Sequence, residues 1–217
     1  MAAAVEARYS LASNQSGVTA LAADPNHLYW TSQGLDSGSV LMADTDGANA
    51  GVLAQGQLAI NSMLSDGQAV YWVNSLQQVP LFGQDAGWGG LMRATPDGGV
   101  SSLWLKNSVG SNALARCGTT LYWGTNDGEV FALDVDGGQP EQLASRGAHV
   151  SIWRIACDGS ALYWDEFESG LVKLELDGGS PTVWVSAPGD QINSIALDDN
   201  FLYWADWTSH QVMQTPK

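Results

Sequence analysis

The chain has 217 residues, with 23 acidic and only 8 basic side chains, so its formal net charge at pH 7 is −15. This charge disfavours a nucleic-acid partner, because phosphate binding requires a basic surface. The sequence contains no run of about 18 apolar residues and therefore predicts no membrane span. The acidic balance suits a solvated surface, a cationic partner or Ca²⁺.

The N-terminal region divides into two parts. Residues 1–7 follow no pattern, and we expect them to be disordered or to be encoded by the expression vector. Residues 8–13 predict a short strand, because Leu11, Ala12 and Ser13 repeat a Leu-Ala-Ser sequence found again at 143–145.

One phrase then recurs along the rest of the chain. Leu-Tyr-Trp stands at residues 28–30, 121–123, 162–164 and 202–204, with Val-Tyr-Trp at 70–72, and the tyrosines are 42, 51, 41 and 40 residues apart. Each unit contains an apolar strand, a polar turn, the Tyr-Trp strand, a third strand and a fourth strand. In four units Asp-Gly follows the third strand, which is a strong hairpin signal. A strand-rich period near 40 is typical of a β-propeller.

The last unit lacks a fourth strand, because the sequence reaches Lys217 directly after the third one. Residues 8–13 can supply it and would thereby remove an open sheet edge. We therefore predict an all-β, five-bladed propeller whose ring is closed by the N-terminal strand, with residues 8–217 as a single domain.

The two cysteines occupy nearly equivalent places in neighbouring units. Cys117 and Cys157 stand five and six residues before their tyrosines. Adjacent first strands crowd near a propeller axis, so a disulfide is one interpretation and two small buried thiols are the other.

Three tryptophans depart from the repeat, whereas the five in the Tyr-Trp strands are expected to pack between blades. The three are Trp88, Trp153 and Trp207. Trp88 belongs to a loop, residues 73–90, that is about ten residues longer than its counterparts, and long insertions are often binding loops. We expect these aromatic rings to stack against a sugar ring or to grip a peptide.

The position ten residues before each tyrosine predicts a ring at the mouth of the central channel. It is occupied in turn by Thr19, Asn61, Asn112, Trp153 and Asn193. The amide oxygens of Asn61, Asn112 and Asn193 are suitable ligands for Ca²⁺, although asparagine also caps turns through its side chain. Arg154 follows Trp153 and can hold a ligand carboxylate or pair with the acidic rim.

The loops after the Tyr-Trp strands are acidic. They contain Asp36, Asp127, Glu129, Asp165, Glu166, Glu168 and Asp206. Paired carboxylates can serve acid–base chemistry or bind metal, but no spacing here is diagnostic of either. We select Asp165, Glu166 and Asp206 as candidate ligand-binding residues.

The repeated Leu-Tyr-Trp strand with its Asp-Gly-Gly hairpin resembles the YWTD repeats of lipoprotein-receptor propellers and the repeat propellers of bacterial secreted proteins. This resemblance implies a propeller fold and agrees with an extracytoplasmic location. A weaker similarity is to metal-dependent lactonase propellers of the gluconolactonase type, whose channel asparagine begins a strand comparable to residues 193–196. That similarity implies a metal-dependent hydrolase.

Two functional hypotheses follow. The first is a non-catalytic, monomeric module that binds a glycan, peptide or protein at the channel-mouth face. The second is a Ca²⁺-dependent, lactonase- or esterase-like hydrolase with its site in the channel and an acidic loop residue as the base. The sequence favours the first, because no catalytic constellation is complete.

Overall fold

The computed structural model describes residues 10–33, 38–57, 59–74, 88–107, 110–147 and 149–217. These residues form nineteen strands in five antiparallel sheets and contain no helix. The predicted all-β architecture is confirmed. No helix capable of crossing a membrane occurs among the described residues.

Strands follow one another in chain order within every sheet. The first sheet contains β1 (Leu21–Ala23), β2 (His27–Gln33), β3 (Gly38–Asp44) and β4 (Gly51–Gln57). The second contains β5 (Ile60–Ser65), β6 (Val70–Asn74), β7 (Trp88–Ala94) and β8 (Val100–Asn107). The third contains β9 (Ser111–Cys117), β10 (Thr120–Thr125), β11 (Glu129–Asp134) and β12 (Glu141–Ser145). The fourth contains β13 (Ile155–Cys157), β14 (Ala161–Glu166), β15 (Gly170–Glu175) and β16 (Thr182–Ser186). The fifth contains β17 (Ile192–Leu197), β18 (Phe201–Asp206) and β19 (Gln211–Pro216).

The Tyr-Trp strand is the second strand of each sheet, and it builds the core on both of its faces. Successive side chains of a strand point to opposite faces, so tyrosine and tryptophan serve different interfaces. Tyr29 packs in one buried cluster with Trp72 of the following sheet, and Tyr163 packs in another with Trp204. The core therefore consists of four layers between consecutive sheets, as the repeated tryptophans predicted.

An aspartate fixes the turn before four of the five Tyr-Trp strands. In the fourth sheet Asp158 Oδ1 accepts hydrogen bonds from the N–H groups of Ser160 and Ala161, and its Oδ2 accepts one from the Tyr163 hydroxyl at 3.0 Å. The third sheet has Cys117 in the equivalent place. It forms a disulfide with Cys157, with the two Cα atoms 6.0 Å apart, so the disulfide interpretation holds.

The N-terminal strand predicted for the fifth sheet is not observed among the described residues. That sheet has three strands, residues 10–13 belong to none, and residues 8 and 9 lie outside the described part of the chain. The neighbouring segment contacts the first sheet, because Gln15 Oε1 accepts a hydrogen bond from Trp30 Nε1 at 3.0 Å. Gln57, the last residue of β4, accepts the corresponding bond from Trp72, also at 3.0 Å.

Candidate functional site

A pocket of about 350 Å³ lies between the fourth and fifth sheets, where β14 ends and β17 begins. It is lined by Trp153, Arg154, Asp165, Phe167, Asp190, Gln191, Ile192 and Asn193. Its volume is within the range of small-molecule sites. The structure thus brings together four residues selected from sequence, namely Trp153, Arg154, Asp165 and Asn193.

Asp165 is the buried polar residue of this pocket. Its Oδ1 accepts hydrogen bonds from the backbone N–H groups of Trp153, at 2.9 Å, and Arg154, at 2.7 Å. Burial disfavours the charged form and raises the pKa of Asp165 to about 6, although the two backbone bonds and the Arg154 charge act in the opposite direction. The carboxylate therefore titrates at a higher pH than an exposed aspartate does.

In the first sheet, an uncharged side chain accepts the equivalent two backbone N–H groups. Thr31, two residues after its tyrosine like Asp165, accepts hydrogen bonds at Oγ1 from the N–H groups of Thr19 and Ala20, at 2.9 and 3.1 Å. In the third sheet this position is Gly124, since a Cβ there would collide with the side chain of Ile152. A carboxylate at this position is thus not a requirement of the repeat.

Arg154 connects the fourth and fifth sheets. Its Nε donates to the backbone oxygen of Asn193 at 2.6 Å, and its Nη1 donates to the backbone oxygen of Trp153 at 2.7 Å. The guanidinium is therefore held in a fixed orientation at the pocket wall.

The pocket presents aromatic surface to solvent. The exposed fractions are 47% for Trp153 and 57% for Phe167, which are large for side chains of this size. Trp207 is 64% exposed and does not line the pocket, but its backbone N–H donates to the lining residue Gln191 at 2.9 Å. Its ring lies beside that of His210, with the ring centroids 6.4 Å apart.

Two of the selected carboxylates stabilise the surrounding loops. Glu166 is buried, and its two oxygens accept hydrogen bonds from Arg146, while its Oε1 also accepts one from Trp164 Nε1. Asp206 caps a turn by accepting bonds from the N–H groups of residues 208 and 209. A hydrogen bond with the Ser209 side chain, together with these backbone bonds, lowers the pKa of Asp206. Neither residue lines the pocket.

The predicted asparagine ring is only partly formed by direct contacts. Asn61 Nδ2 donates to Asn112 Oδ1 at 2.8 Å, and Asn112 Nδ2 donates to Asn126 Oδ1, a residue that the sequence interpretation missed. Asn193 lines the pocket instead. No group of three or more His, Cys, Asp or Glu residues suited to a metal ion occurs among the described residues. A calcium ion held by these amide oxygens stays a prediction.

Three parts of the chain that were selected from the sequence lie outside the described residues. The side chain of Trp88 lies outside the described residues, as do Asp36 and residues 75–87 of the long loop. Conversely, Phe167, Asp190 and Gln191 were missed from sequence, since no repeated pattern identifies them. The only available signal was an aromatic residue within the acidic 165–168 loop.

No protein-family profile matches the chain, and no curated protein matches it either. Among solved structures, it is similar to a nidogen/laminin complex, with 18% identity, a TM-score of 0.69, and coverage of 92% of this chain and 75% of that chain. It is also similar to the extracellular domain of a hybrid two-component system from B. thetaiotaomicron, at 15% identity and a TM-score of 0.66, covering 91% of this chain and 26% of that one. An auxiliary nutrient-binding protein from Bacteroides thetaiotaomicron has 13% identity and a TM-score of 0.64, with coverage of 93% and 55%. These similarities establish a β-propeller-like fold.

Proposed function

We propose that the protein is an extracytoplasmic recognition module that binds a glycan in the pocket between the fourth and fifth sheets. The observation that supports this most is the pairing of exposed Trp153 and Phe167 with carboxylate, amide and guanidinium groups in one concave site. Aromatic faces offer rigid apolar surface for a sugar ring. The planar polar groups can bond its hydroxyls in defined directions.

The local geometry supports a binding role. Asp165 Oδ1 accepts hydrogen bonds from two backbone N–H groups, and two nitrogens of Arg154 donate to backbone carbonyls. Groups held in this way keep a fixed orientation and therefore position a ligand well.

An extracytoplasmic location is supported by the Cys117–Cys157 disulfide, because such bonds persist in oxidising compartments. It is further supported by two structural neighbours, an extracellular domain and a nutrient-binding protein.

We further propose that residues 8–13 pair with β19 and close a five-bladed ring. β19 is the edge strand of the three-stranded fifth sheet, and its Val212 is 80% exposed. The Gln15–Trp30 bond repeats the Gln57–Trp72 bond at the same spacing of 15 residues. The segment before Gln15 therefore corresponds to the fourth strand of a preceding blade.

The glycan proposal is tested by comparing two exposed tryptophans of the same face. The wild-type protein is screened on a glycan array, and the affinity of the best saccharide is measured by calorimetry for wild type, Trp153→Ala and Trp207→Ala. Removing the pocket ring should weaken binding by about tenfold or more, which corresponds to about 1.4 kcal/mol, whereas the Trp207 control should bind within about twofold of wild type.

Two results would contradict this proposal. One is that no saccharide binds, or that only peptides do. The other is that Trp153→Ala binds the selected saccharide as tightly as the wild-type protein.

A further inference from the structure

The pocket carries a negative charge that the fold does not need. Thr31 shows that, in the first sheet, an uncharged hydroxyl accepts two backbone N–H bonds equivalent to those that Asp165 accepts in the fourth sheet. Both of those bonds in the fourth sheet go to Oδ1. The charge of Asp165 and its second oxygen, Oδ2, are thus available for a purpose other than holding the turn.

A second carboxylate faces the pocket from the fifth sheet. Asp190 lines it, is half-buried, and forms no ion pair among the described residues. Arg154 is the single basic side chain in the lining. When both carboxylates are ionised, two of them against one guanidinium leave the pocket with one net negative charge.

The exposed aromatic side chains of the pocket favour a positively charged ligand, as its carboxylates do. A cation is attracted to the face of an aromatic ring, most strongly to tryptophan. Trp153 and Phe167 expose about half of their surfaces, at 47% and 57%. An anionic sugar would instead meet two carboxylates, with Nε and Nη1 of the guanidinium already bonded to backbone carbonyls.

We propose that the pocket selects an amino sugar with a free, protonated amine, which lies between Asp165 and Asp190 while the ring packs against Trp153. This inference rests on the proposed glycan-binding function and names its ligand class. Asp165 and Asp190 are then the residues that determine specificity, and the aromatic rings supply affinity that is common to all saccharides.

The test uses oligosaccharides of equal length and opposite charge. The full chain is titrated by calorimetry at pH 6.5 with glucosamine, N-acetylglucosamine and galacturonate oligomers. We expect the glucosamine oligomer to bind at least tenfold more tightly than its acetylated counterpart, and the galacturonate oligomer to bind most weakly.

Variants separate the two parts of the proposal. Asp165→Thr, which copies the first sheet, and Asp190→Asn should each reduce the preference for the free amine at least threefold while leaving the acetylated oligomer unaffected. Trp153→Ala should weaken both oligomers alike. Asp199→Asn removes an exposed carboxylate of the turn between β17 and β18, and should change neither affinity.

Each outcome decides between the proposals. Equal binding of the two glucosamine-based oligomers, or a preference unchanged in Asp165→Thr and Asp190→Asn, overturns the amine selectivity while glycan binding stands. An equal loss in Asp199→Asn also overturns it, since the effect would then be one of overall charge. Binding of a lysine-rich peptide but of no oligosaccharide overturns both proposals. If Asp165→Thr shows no cooperative thermal unfolding, Asp190→Asn decides.

Discussion

The Asp165 carboxylate is only 6% exposed, and its burial raises its pKa from an ordinary value of 3.8 to about 6. Between these two pH values the folded protein holds this proton more tightly than the unfolded chain does. The contribution of Asp165 to the free energy of unfolding therefore falls as the pH rises from about 4 to about 6. Above that range the buried charge opposes folding.

We predict that Asp165→Thr gains stability relative to wild type at high pH. Its free energy of unfolding should exceed that of wild type by roughly 2 to 3 kcal/mol more at pH 8 than at pH 4, since one pKa unit corresponds to about 1.4 kcal/mol. Urea unfolding at both pH values measures this difference. Asp206→Asn should differ from wild type by a nearly constant amount between pH 4 and pH 8, because the pKa of Asp206 is lowered and its stabilisation is lost only below about pH 4. A pH-independent difference for Asp165→Thr would contradict the prediction.

Residue-level prediction from sequence succeeded where a position broke the repeat. Trp153 and Arg154 replace residues that other units share, and both line the pocket. Glu166 was selected for its charge, but its carboxylate is bound by Arg146, twenty residues earlier. That pairing depends on how two sheets pack, which no local pattern indicates.

The Asp turn is the element that recurs most exactly. Asp24, Asp66, Asp158 and Asp198 each accept two backbone N–H bonds and one tyrosine hydroxyl bond. Burial opposes the ionised form of the first three, but these bonds outweigh it, and the pKa of all four is lowered. Their stabilisation is present at neutral pH and is lost as the pH falls through their lowered pKa values.

We predict that replacing the turn aspartate by alanine destabilises the protein more in the fourth sheet than in the fifth. Asp158→Ala should lower the free energy of unfolding by about 2 to 3 kcal/mol, because it leaves buried donors unpaired where the aspartate side chain is only 9% exposed. Asp198→Ala, in the fifth sheet, should cost clearly less, since water can replace the lost bonds. Chemical unfolding of both variants compares them, and equal losses would rule out the effect of burial.

The strands and turns could be predicted because each is specified by a short stretch of sequence. The Tyr-Trp alternation and the Asp-Gly turns identified the second and third strands of most units, and the structure places the strands there. The replacement of Asp by Cys117 in the third unit left two interpretations open. A disulfide depends on the distance between sheets rather than on local sequence.

The proposed closure of the ring depends on contacts between the N-terminal segment and the fifth sheet. Periodicity fixes the content of each sheet, but it does not fix which sheet the N-terminal segment joins. Consecutive sheets contact each other through their innermost strands, β1 with β5, β5 with β9, β9 with β13 and β13 with β17. Among the described residues, the first and fifth sheets share no comparable contact between innermost strands.

We predict that a cysteine pair will trap the proposed closure. Val130 pairs with Ala144 in the third sheet, and the corresponding residues in a closed ring are Val212 and Ala12. Ala12→Cys with Val212→Cys should form an intramolecular disulfide, detected by mass spectrometry, and should raise the melting temperature. Ala12→Cys with Val183→Cys, an exposed position of β16, is the control that should not cross-link. A cross-link only between molecules, or none, would contradict closure within one chain.

The disulfide between Cys117 and Cys157 makes the length of the fully stretched molecule depend on whether this bond is intact or reduced. The two cysteines are 40 residues apart, so the chain between them cannot extend while the bond is intact. A segment of that length spans about 140 Å when fully stretched. A molecule pulled by its termini would therefore extend about 140 Å further after reduction, and its contour length would report the oxidation state of its surroundings.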